Sequence, residues 1–385
     1  MNRLISGKAL LFMSLCMAHA MEPAVDSISM TTPDHTANPG WWPTKGDALR
    51  SQYVGTEICS GCHGSIALLQ HTTPMFHASA RATDAQILKE QPLLTFHESR
   101  FTYSLRWNAA GPTFAVTDGV QESTSPVVWA VGNGEYGQTY ILEKNGTYIE
   151  SRLSYFSGLK GLDITPGQAS ISPQEVDEAL GRKLDTETTK ACFQCHTSNA
   201  VITGTLDADK AIPGVTCESC HGPGAQHVAA MSTPAPGGKP TMILNPRSLS
   251  PSDSVDFCGA CHSTWADVVM GRPANMGAAR MRFQPYRLGL SRCWGKGDDP
   301  RITCIACHNP HQPLVHDRDA YDTKCVACHS ANARSTSHVA AKTCKVSATR
   351  CVSCHMPKIE VPEVHSALTD HNIRVVRANG QNQPQ

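Results

Sequence analysis

The chain has 385 residues and a formal net charge of zero, so it lacks the basic surplus expected of a nucleic-acid-binding protein. Only 6% of its residues are aromatic and 17% are charged, whereas it contains 29 Gly and 25 Pro. This composition is poor material for a conventional side-chain core, so we expect a bound apolar group to fill part of the interior.

The N-terminus has the pattern of a secretory signal peptide over residues 1–20. Arg3 and Lys8 accompany a short apolar run, and Ala18-His19-Ala20 forms a cleavage site. The run is too short to span a membrane. We therefore predict an exported, periplasmic protein without a membrane span. A Pro-, Thr- and Ser-rich extended arm should follow over residues 21–50.

The next segments predict one short functional region and then β structure. Residues 51–92 contain a single Cys-x-x-Cys-His sequence, whereas 93–155 contain none. From Phe101 to Trp107, apolar and polar residues alternate with the period of a strand. Asn145-Gly146 separates two apolar runs, which is a strong hairpin signal. We predict a small antiparallel β insertion at 93–155, with an irregular loop as the alternative.

Helix signals dominate the remainder. Ser172-Pro173-Gln174-Glu175 has the residue types of a capping box, and Ser250-Pro251-Ser252-Asp253 resembles a second helix start. We predict one domain of short helices and long loops at 156–378, followed by a disordered tail at 379–385.

The pentapeptide Cys-x-x-Cys-His occurs seven times, and every Cys-x-x-Cys pair is followed by His. This spacing is typical of haem c attachment, in which two thiols bind the porphyrin and the histidine binds the iron. Zinc sites and redox thiol pairs do not require that histidine. In chain order, motifs 1 to 7 are Cys59–His63, Cys192–His196, Cys217–His221, Cys258–His262, Cys304–His308, Cys325–His329 and Cys351–His355.

We therefore predict seven covalently attached haems c. The cysteines that should attach them are Cys59, Cys62, Cys192, Cys195, Cys217, Cys220, Cys258, Cys261, Cys304, Cys307, Cys325, Cys328, Cys351 and Cys354. The proximal iron ligands should be His63, His196, His221, His262, His308, His329 and His355. The predicted fold class is mainly α with long loops, a multihaem cytochrome c fold organised around stacked haems, with the small antiparallel β insertion. The propionates should make the holoprotein acidic.

Other histidines are candidates for the sixth, distal position on each iron. His311 lies three residues after His308, a connection too short to reach the far face of the same haem. We therefore expect His311 to bind a neighbouring haem, and the same argument applies less strongly to His227. The full set of distal candidates is His77, His227, His311, His338, His365 and His371. For each, a surface histidine bound to a propionate is the alternative.

Two cysteines of the mature chain lie outside the motifs. Cys293 and Cys344 form an even pair in an oxidising compartment, which favours a disulfide. Two buried free thiols are the alternative.

Several stretches of the chain match a known family when taken together. They are Tyr53-Val54-Gly55, Cys220-His221-Gly222-Pro223-Gly224 with His227, Cys304-Ile305-Ala306-Cys307-His308-Asn309-Pro310-His311, Cys354-His355-Met356-Pro357-Lys358 and Asp370-His371-Asn372-Ile373. On these residues, the chain resembles the bacterial multihaem cytochromes c related to the tetrahaem electron carrier of ammonia oxidisers. The resemblance implies mainly bis-His haems in stacked and perpendicular pairs, an electron-transport role, and distal ligation by His227, His311 and His371.

The expected function is electron transfer through seven haems between redox protein partners, rather than enzymatic catalysis. Two alternatives remain open. One is an oxidoreductase that converts a small nitrogen or sulfur compound at an open haem. The other is a subunit that assembles into an extracellular filament or joins a membrane-associated redox complex. No nucleic-acid partner is expected.

Overall fold

The structure is a computed structural model, and it describes residues 48–233, 242–271, 277–291, 294, 302–329, 344 and 346–374. The predicted signal peptide, most of the extended arm, and the tail at 379–385 lie outside these residues, as do His338 and Cys293. Over the described ranges, no helix is long and apolar enough to cross a bilayer.

The largest element is a nine-stranded antiparallel sheet between Ser79 and Lys183. Strands β2 to β8 form a meander in chain order, while β1 pairs with β5 and β9 pairs with β7. Strand β2 lies beside β8, so the meander curls back on itself. The strands are β1 Ser79–Arg81, β2 Leu93–Glu98, β3 Phe101–Asn108, β4 Gly111–Thr117, β5 Glu122–Val131, β6 Gly137–Lys144, β7 Thr147–Phe156, β8 Gly161–Ile164 and β9 Gly181–Lys183.

This sheet corrects the predicted fold class. A mainly α chain with a small β insertion is wrong, because the sheet begins before residue 93, ends after residue 155 and encloses a core of its own. Tyr103, Phe114, Tyr140 and Leu142 are all completely buried in that core. Aromatic residues are scarce in the chain as a whole but are concentrated in these strands. The low aromatic content of the whole chain therefore does not describe this segment.

The predicted hairpin at Asn145-Gly146 is confirmed. Strands β6 and β7 pair up to Lys144 and Thr147, and both turn residues have positive φ angles of 51° and 72°. A two-residue turn with positive φ at both positions matches the twist of the flanking strands, and Asn-Gly adopts it at low cost.

Helices are short and concentrated outside the sheet. They are α1 Thr56–Gln70, α2 Gln86–Glu90, α3 Val176–Ala179, α4 Thr186–His196, α5 Cys217–His221, α6 Ala225–Ser232, α7 Pro251–His262, α8 Trp265–Gly271, α9 Gln284–Gly289, α10 Cys304–Cys307, α11 Asp322–His329 and α12 Cys351–His355. Short two-stranded pairs add β10 Thr197–Ser198 with β13 Ile212–Pro213, β11 Val201–Ile202 with β12 Thr205–Leu206, and β14 Lys358–Val361 with β15 Ser366–Thr369.

One predicted helix start is confirmed and the other is wrong. Ser250 caps α7, since its hydroxyl accepts a hydrogen bond from the Asp253 N–H at 3.1 Å. The sequence at Ser172 begins no helix. Instead, the helix that leads into motif 2 begins after Asp185, whose carboxylate accepts the Thr188 N–H at 2.7 Å.

The sheet holds motif 2 directly. Trp129 of β5 meets Phe193 of α4 edge to face, with ring centres 5.3 Å apart. Ser79 of β1 donates its hydroxyl hydrogen bond to the backbone oxygen of His196 at 2.6 Å. The outer face of the sheet is therefore the support on which motif 2 is placed.

Candidate haem-binding sites

Each motif lies in a helix or at its end. The two cysteines of a motif are three residues apart and the histidine is one further, so a helical turn brings all three to one face. Side-chain caps begin α4, α7 and α10, and at α10 the cap stands immediately before the motif. The Thr303 hydroxyl accepts the Ala306 N–H at 3.2 Å at the start of α10, which carries motif 5.

Among the described residues, three motif histidines have a second imidazole opposite them. His63 and His227 have ring centres 6.4 Å apart and planes 20° apart. His221 and His311 are separated by 6.0 Å with planes 6° apart.

The third pair is His308 and His371, at 6.2 Å and 37°. Two imidazoles that bind one metal ion from opposite sides, with bonds of about 2 Å and ring centres about 1 Å further back, have centres roughly 6 Å apart. All three separations fit an iron ion held between the rings.

Hydrogen bonds orient several of these rings. His221 donates from Nδ1 to the Leu244 carbonyl at 2.8 Å, and His355 to the Arg374 carbonyl at 2.6 Å. The contacts from His196 to Ala78 at 3.2 Å and from His371 to Thr369 at 3.0 Å are of the same type. A carbonyl at Nδ1 fixes the tautomer that leaves Nε2 as the metal-binding nitrogen.

Burial favours the neutral form of four of the motif and candidate distal histidines. Desolvation lowers the pKa of His371 to about 4. Desolvation also lowers the pKa of His196 and His308, and at His311 the nearby His221 adds to the effect. Neutral imidazole is the form that binds a metal ion.

Cysteines of different motifs also meet. The thiols of Cys59 and Cys217 are hydrogen-bonded to each other, which raises the pKa of Cys59 and lowers that of Cys217. Cys258 and Cys304 are in the same relation. These contacts join motif 1 to motif 3 and motif 4 to motif 5.

Three buried carboxylates, none of them identified from the sequence as functional, connect the motifs. Glu218, between the cysteines of motif 3, accepts the N–H groups of Val54, Gly55 and Gly224 at 2.8, 2.8 and 2.9 Å. One feature of the sequence could have identified Glu218: it is a charged residue between the two cysteines of a motif. A charged side chain that is buried there needs hydrogen-bond partners.

The second carboxylate is Asp322, at the start of α11. It accepts the N–H groups of Arg350 at 2.6 Å and Cys351 at 2.8 Å, and so joins the helix of motif 6 to that of motif 7. The third, Asp370, is completely buried and pairs with Arg287.

The remaining distal candidates have other neighbours. His365 lies 2.8 Å from Asp163 of β8 through its Nε2 atom. His77 is exposed and meets Phe76 edge to face at 5.3 Å. Cys344 is exposed, and the disulfide with Cys293 stays a prediction.

The residues present fit haem c. Helical Cys-x-x-Cys-His sequences would supply the thioether and proximal ligands, and the opposed imidazoles would supply distal ligands. In addition, one guanidinium nitrogen each of Arg287, Arg318 and Arg374 is buried without a hydrogen-bond partner in the described part of the chain. Unpaired buried cationic N–H groups near the motifs are suited to haem propionates.

Comparisons with known proteins point the same way. The family model described as cytochrome c554 and c-prime matches residues 167–222, which contain motifs 2 and 3. The multiheme cytochrome MtrA of Shewanella baltica (strain OS185) is 21% identical over 222 residues, covering 53% of this chain and 56% of that protein. The chain thus spans little more than half the length of this relative.

A solved structure gives a weaker likeness. The crystal structure of the outer cell wall cytochrome OcwA has a TM-score of 0.48 and 15% identity, over 84% of this chain and 80% of that one. The motifs, the family match over residues 167–222 and the similarity to MtrA together support the assignment of the chain to the multihaem c-type cytochromes.

Proposed function

We propose that the chain holds seven covalently attached haems c and carries electrons between redox partners. The observation that carries this proposal is the set of three imidazole pairs, each joining a motif histidine to a histidine from a distant part of the chain. Bound haem supplies one-electron transfer. Two protein ligands on one iron favour that role over substrate binding, because they leave no position for a substrate.

The three pairs follow one rule along the chain. His227, which follows motif 3, faces motif 1, and His311, which follows motif 5, faces motif 3. His371, which follows motif 7, faces motif 5. We infer that each of these histidines is the distal ligand for the haem attached two motifs earlier. Motifs 1, 3, 5 and 7 are then tied together as a series.

Export fits this role. Haem c is attached outside the cytoplasmic membrane, and residues 1–20 have the pattern of a signal peptide with cleavage after Ala20. We propose that the mature protein works in the periplasm or beyond, where it receives and passes on electrons through contacts with other redox proteins.

A second candidate function rests on a different observation. Among the described residues, no imidazole lies opposite His196 or His355. An iron with an open sixth position at motif 2 or motif 7 would bind a small nitrogen or sulfur compound. The protein would then be an oxidoreductase.

One spectrum distinguishes the electron carrier from the oxidoreductase. Electron paramagnetic resonance of the oxidised holoprotein counts low-spin and high-spin haems. An electron carrier should show low-spin signals throughout and should not bind carbon monoxide when reduced. A high-spin signal, with carbon monoxide binding to about one haem per chain, would instead favour the enzyme.

A further inference from the structure

A network of three charged side chains, two of them completely buried, joins α9 to the segment that follows motif 7. Arg287 of α9 donates from Nε and Nη2 to the two carboxylate oxygens of Asp370, at 2.8 and 2.9 Å. Arg374 donates from Nη1 to the same carboxylate at 2.6 Å. Arg287 and Asp370 are both completely buried. Such two-pronged pairs fix the relative orientation of their partners.

The segment that this network holds carries parts of two haem sites. Residue 371, next to Asp370, is the histidine that faces His308 of motif 5 at 6.2 Å. Four residues after Asp370, the backbone oxygen of Arg374 accepts the Nδ1 hydrogen bond of His355 of motif 7 at 2.6 Å. One short turn therefore presents an imidazole to one motif and an orienting carbonyl to another.

Ser291 adds a second connection between the end of α9 and this turn. Its hydroxyl donates to the backbone oxygen of His371 at 2.9 Å and accepts the Ile373 N–H at 2.8 Å. The Asp370 carboxylate also accepts the Asn372 N–H at 3.0 Å. The backbone on both sides of His371 is therefore attached to α9 by Arg287 and Ser291.

The network carries one more positive than negative charge. Arg287 Nη1 and Arg374 Nη2 are buried and have no hydrogen-bond partner among the residues that the structure describes. An unpaired buried N–H is costly, so an anionic acceptor is needed there. A haem carboxylate is an anion of the holoprotein that fits.

We propose that Arg287 is a positioning residue for two haems: through Asp370 it holds His371 opposite His308, and it fixes the Arg374 carbonyl that orients His355. This inference rests on the proposed function, since it takes His371 and His308 as ligands of one iron. The positive charge also favours reduction of the nearby haem, because reduction adds an electron.

The test is Arg287→Gln in the full-length holoprotein. We expect an unchanged haem count, a changed or partly high-spin resonance signal at the haem of motif 5, a changed low-spin signal at that of motif 7, carbon monoxide binding beyond that of the wild type, and a lower midpoint potential. Asp370→Asn, which keeps the side-chain size, should produce the same spectral change. Arg287→Lys keeps the charge without the two-pronged bond and should change the spectrum while moving the potential less.

The matched control is Arg152→Gln. Arg152 is another buried arginine with a two-pronged bond to a carboxylate, that of Glu98, but it lies in the sheet. It should lower thermal stability and leave every haem signal unchanged. If Arg287→Gln and Asp370→Asn both gave wild-type spectra and no carbon monoxide binding, the positioning role would be refuted.

His371→Ala separates this proposal from the one on which it rests. If His371→Ala produces a high-spin haem but Arg287→Gln does not alter the spectrum, only the role of Arg287 is wrong. If His371→Ala itself leaves every haem low-spin, the ligand assignment at motif 5 has failed and this proposal fails with it.

Discussion

The imidazole of His311 lies 6.0 Å from that of His221 and only 6° from parallel to it. His311 is three residues from His308, the histidine of a different motif, yet it faces the motif that lies nearly ninety residues earlier in the chain. A short connection along the chain therefore brings the imidazole beside motif 5 opposite that of motif 3. That the two rings bind one iron stays a prediction.

His311→Ala should remove one distal ligand. We expect one low-spin signal to become high-spin and the reduced protein to bind carbon monoxide at one haem, that of Cys217 and Cys220. Total haem content should stay the same. His316→Ala is the control, because His316 is exposed and lies 3.7 Å from Glu135. If every haem remained low-spin in His311→Ala, the rule linking motifs 1, 3, 5 and 7 would lose its best-aligned pair.

The number of haems can be measured directly. Intact mass after signal removal, together with a pyridine haemochrome assay, should give seven haems per chain, since all seven motifs have both thiols and the histidine. Fully matured protein with five or fewer haems would contradict the proposal.

The sheet should fold without haem. Its core contains completely buried aromatic and aliphatic side chains, including Phe114 and Leu153. We expect the full-length chain made without haem attachment to keep a β-type circular dichroism signal and to show one cooperative thermal transition. Phe114→Ala should lower the free energy of unfolding of that transition by about 3–5 kcal/mol. Haem-free chain that unfolds without cooperativity would show that the sheet depends on the haems.

The Glu98–Arg152 pair should make the sheet sensitive to acid. Burial alone would raise the pKa of Glu98, but the hydrogen bonds and charge of Arg152 outweigh it and lower that pKa. A lowered folded-state pKa gives stability that is present above the unfolded value of about 4.3 and lost as pH falls through the folded value. Glu98→Gln leaves Arg152 uncompensated and should cost about 3 kcal/mol at neutral pH.

That cost should shrink as pH falls below about 4 and should vanish below the lowered folded-state pKa of Glu98, where the wild-type carboxyl is also neutral. Denaturant unfolding of both proteins at neutral and acidic pH measures the difference. Glu187→Gln is the control, since the Glu187 side chain is 82% exposed and should contribute little at either pH. An equal effect of Glu98→Gln at both pH values would mean that its charge is not involved.

Glu218→Gln tests the carboxylate inside motif 3. Three backbone N–H groups point at its two oxygens. The amide of Gln would turn an N–H toward another donor, so we expect a loss of about 1–3 kcal/mol in the free energy of unfolding. Glu57→Gln in the exposed first turn of α1 should have little effect. Equal thermal midpoints for wild type and Glu218→Gln would argue against a connecting role.

Short local patterns in the sequence predicted local structure correctly, whereas the sequence did not predict the extent of the sheet. The motifs, the Asn145-Gly146 hairpin and the Ser250 helix cap depend on residues close together in the chain, and the structure contains the hairpin and the cap as predicted. The extent of the nine-stranded sheet was not predicted. The aromatic content of the whole chain averages the aromatic-rich strands with the segments that carry the motifs, so it hides the core of the sheet. The hydrogen bonds between Arg287 and Asp370 join residues more than eighty positions apart, and no local sequence pattern predicts such a contact.

The contacts between thiols of different motifs bear on whether haem attachment precedes or follows folding of the chain. Cys59 meets Cys217, and Cys258 meets Cys304, once the chain has folded. In an oxidising compartment, thiols held this close would be open to cross-linking as wrong disulfides, and the cross-linked sulfurs could no longer bond to porphyrin. For the proposed haem sites, attachment before the chain folds would prevent these wrong disulfides and would leave the sulfurs free to bond to porphyrin.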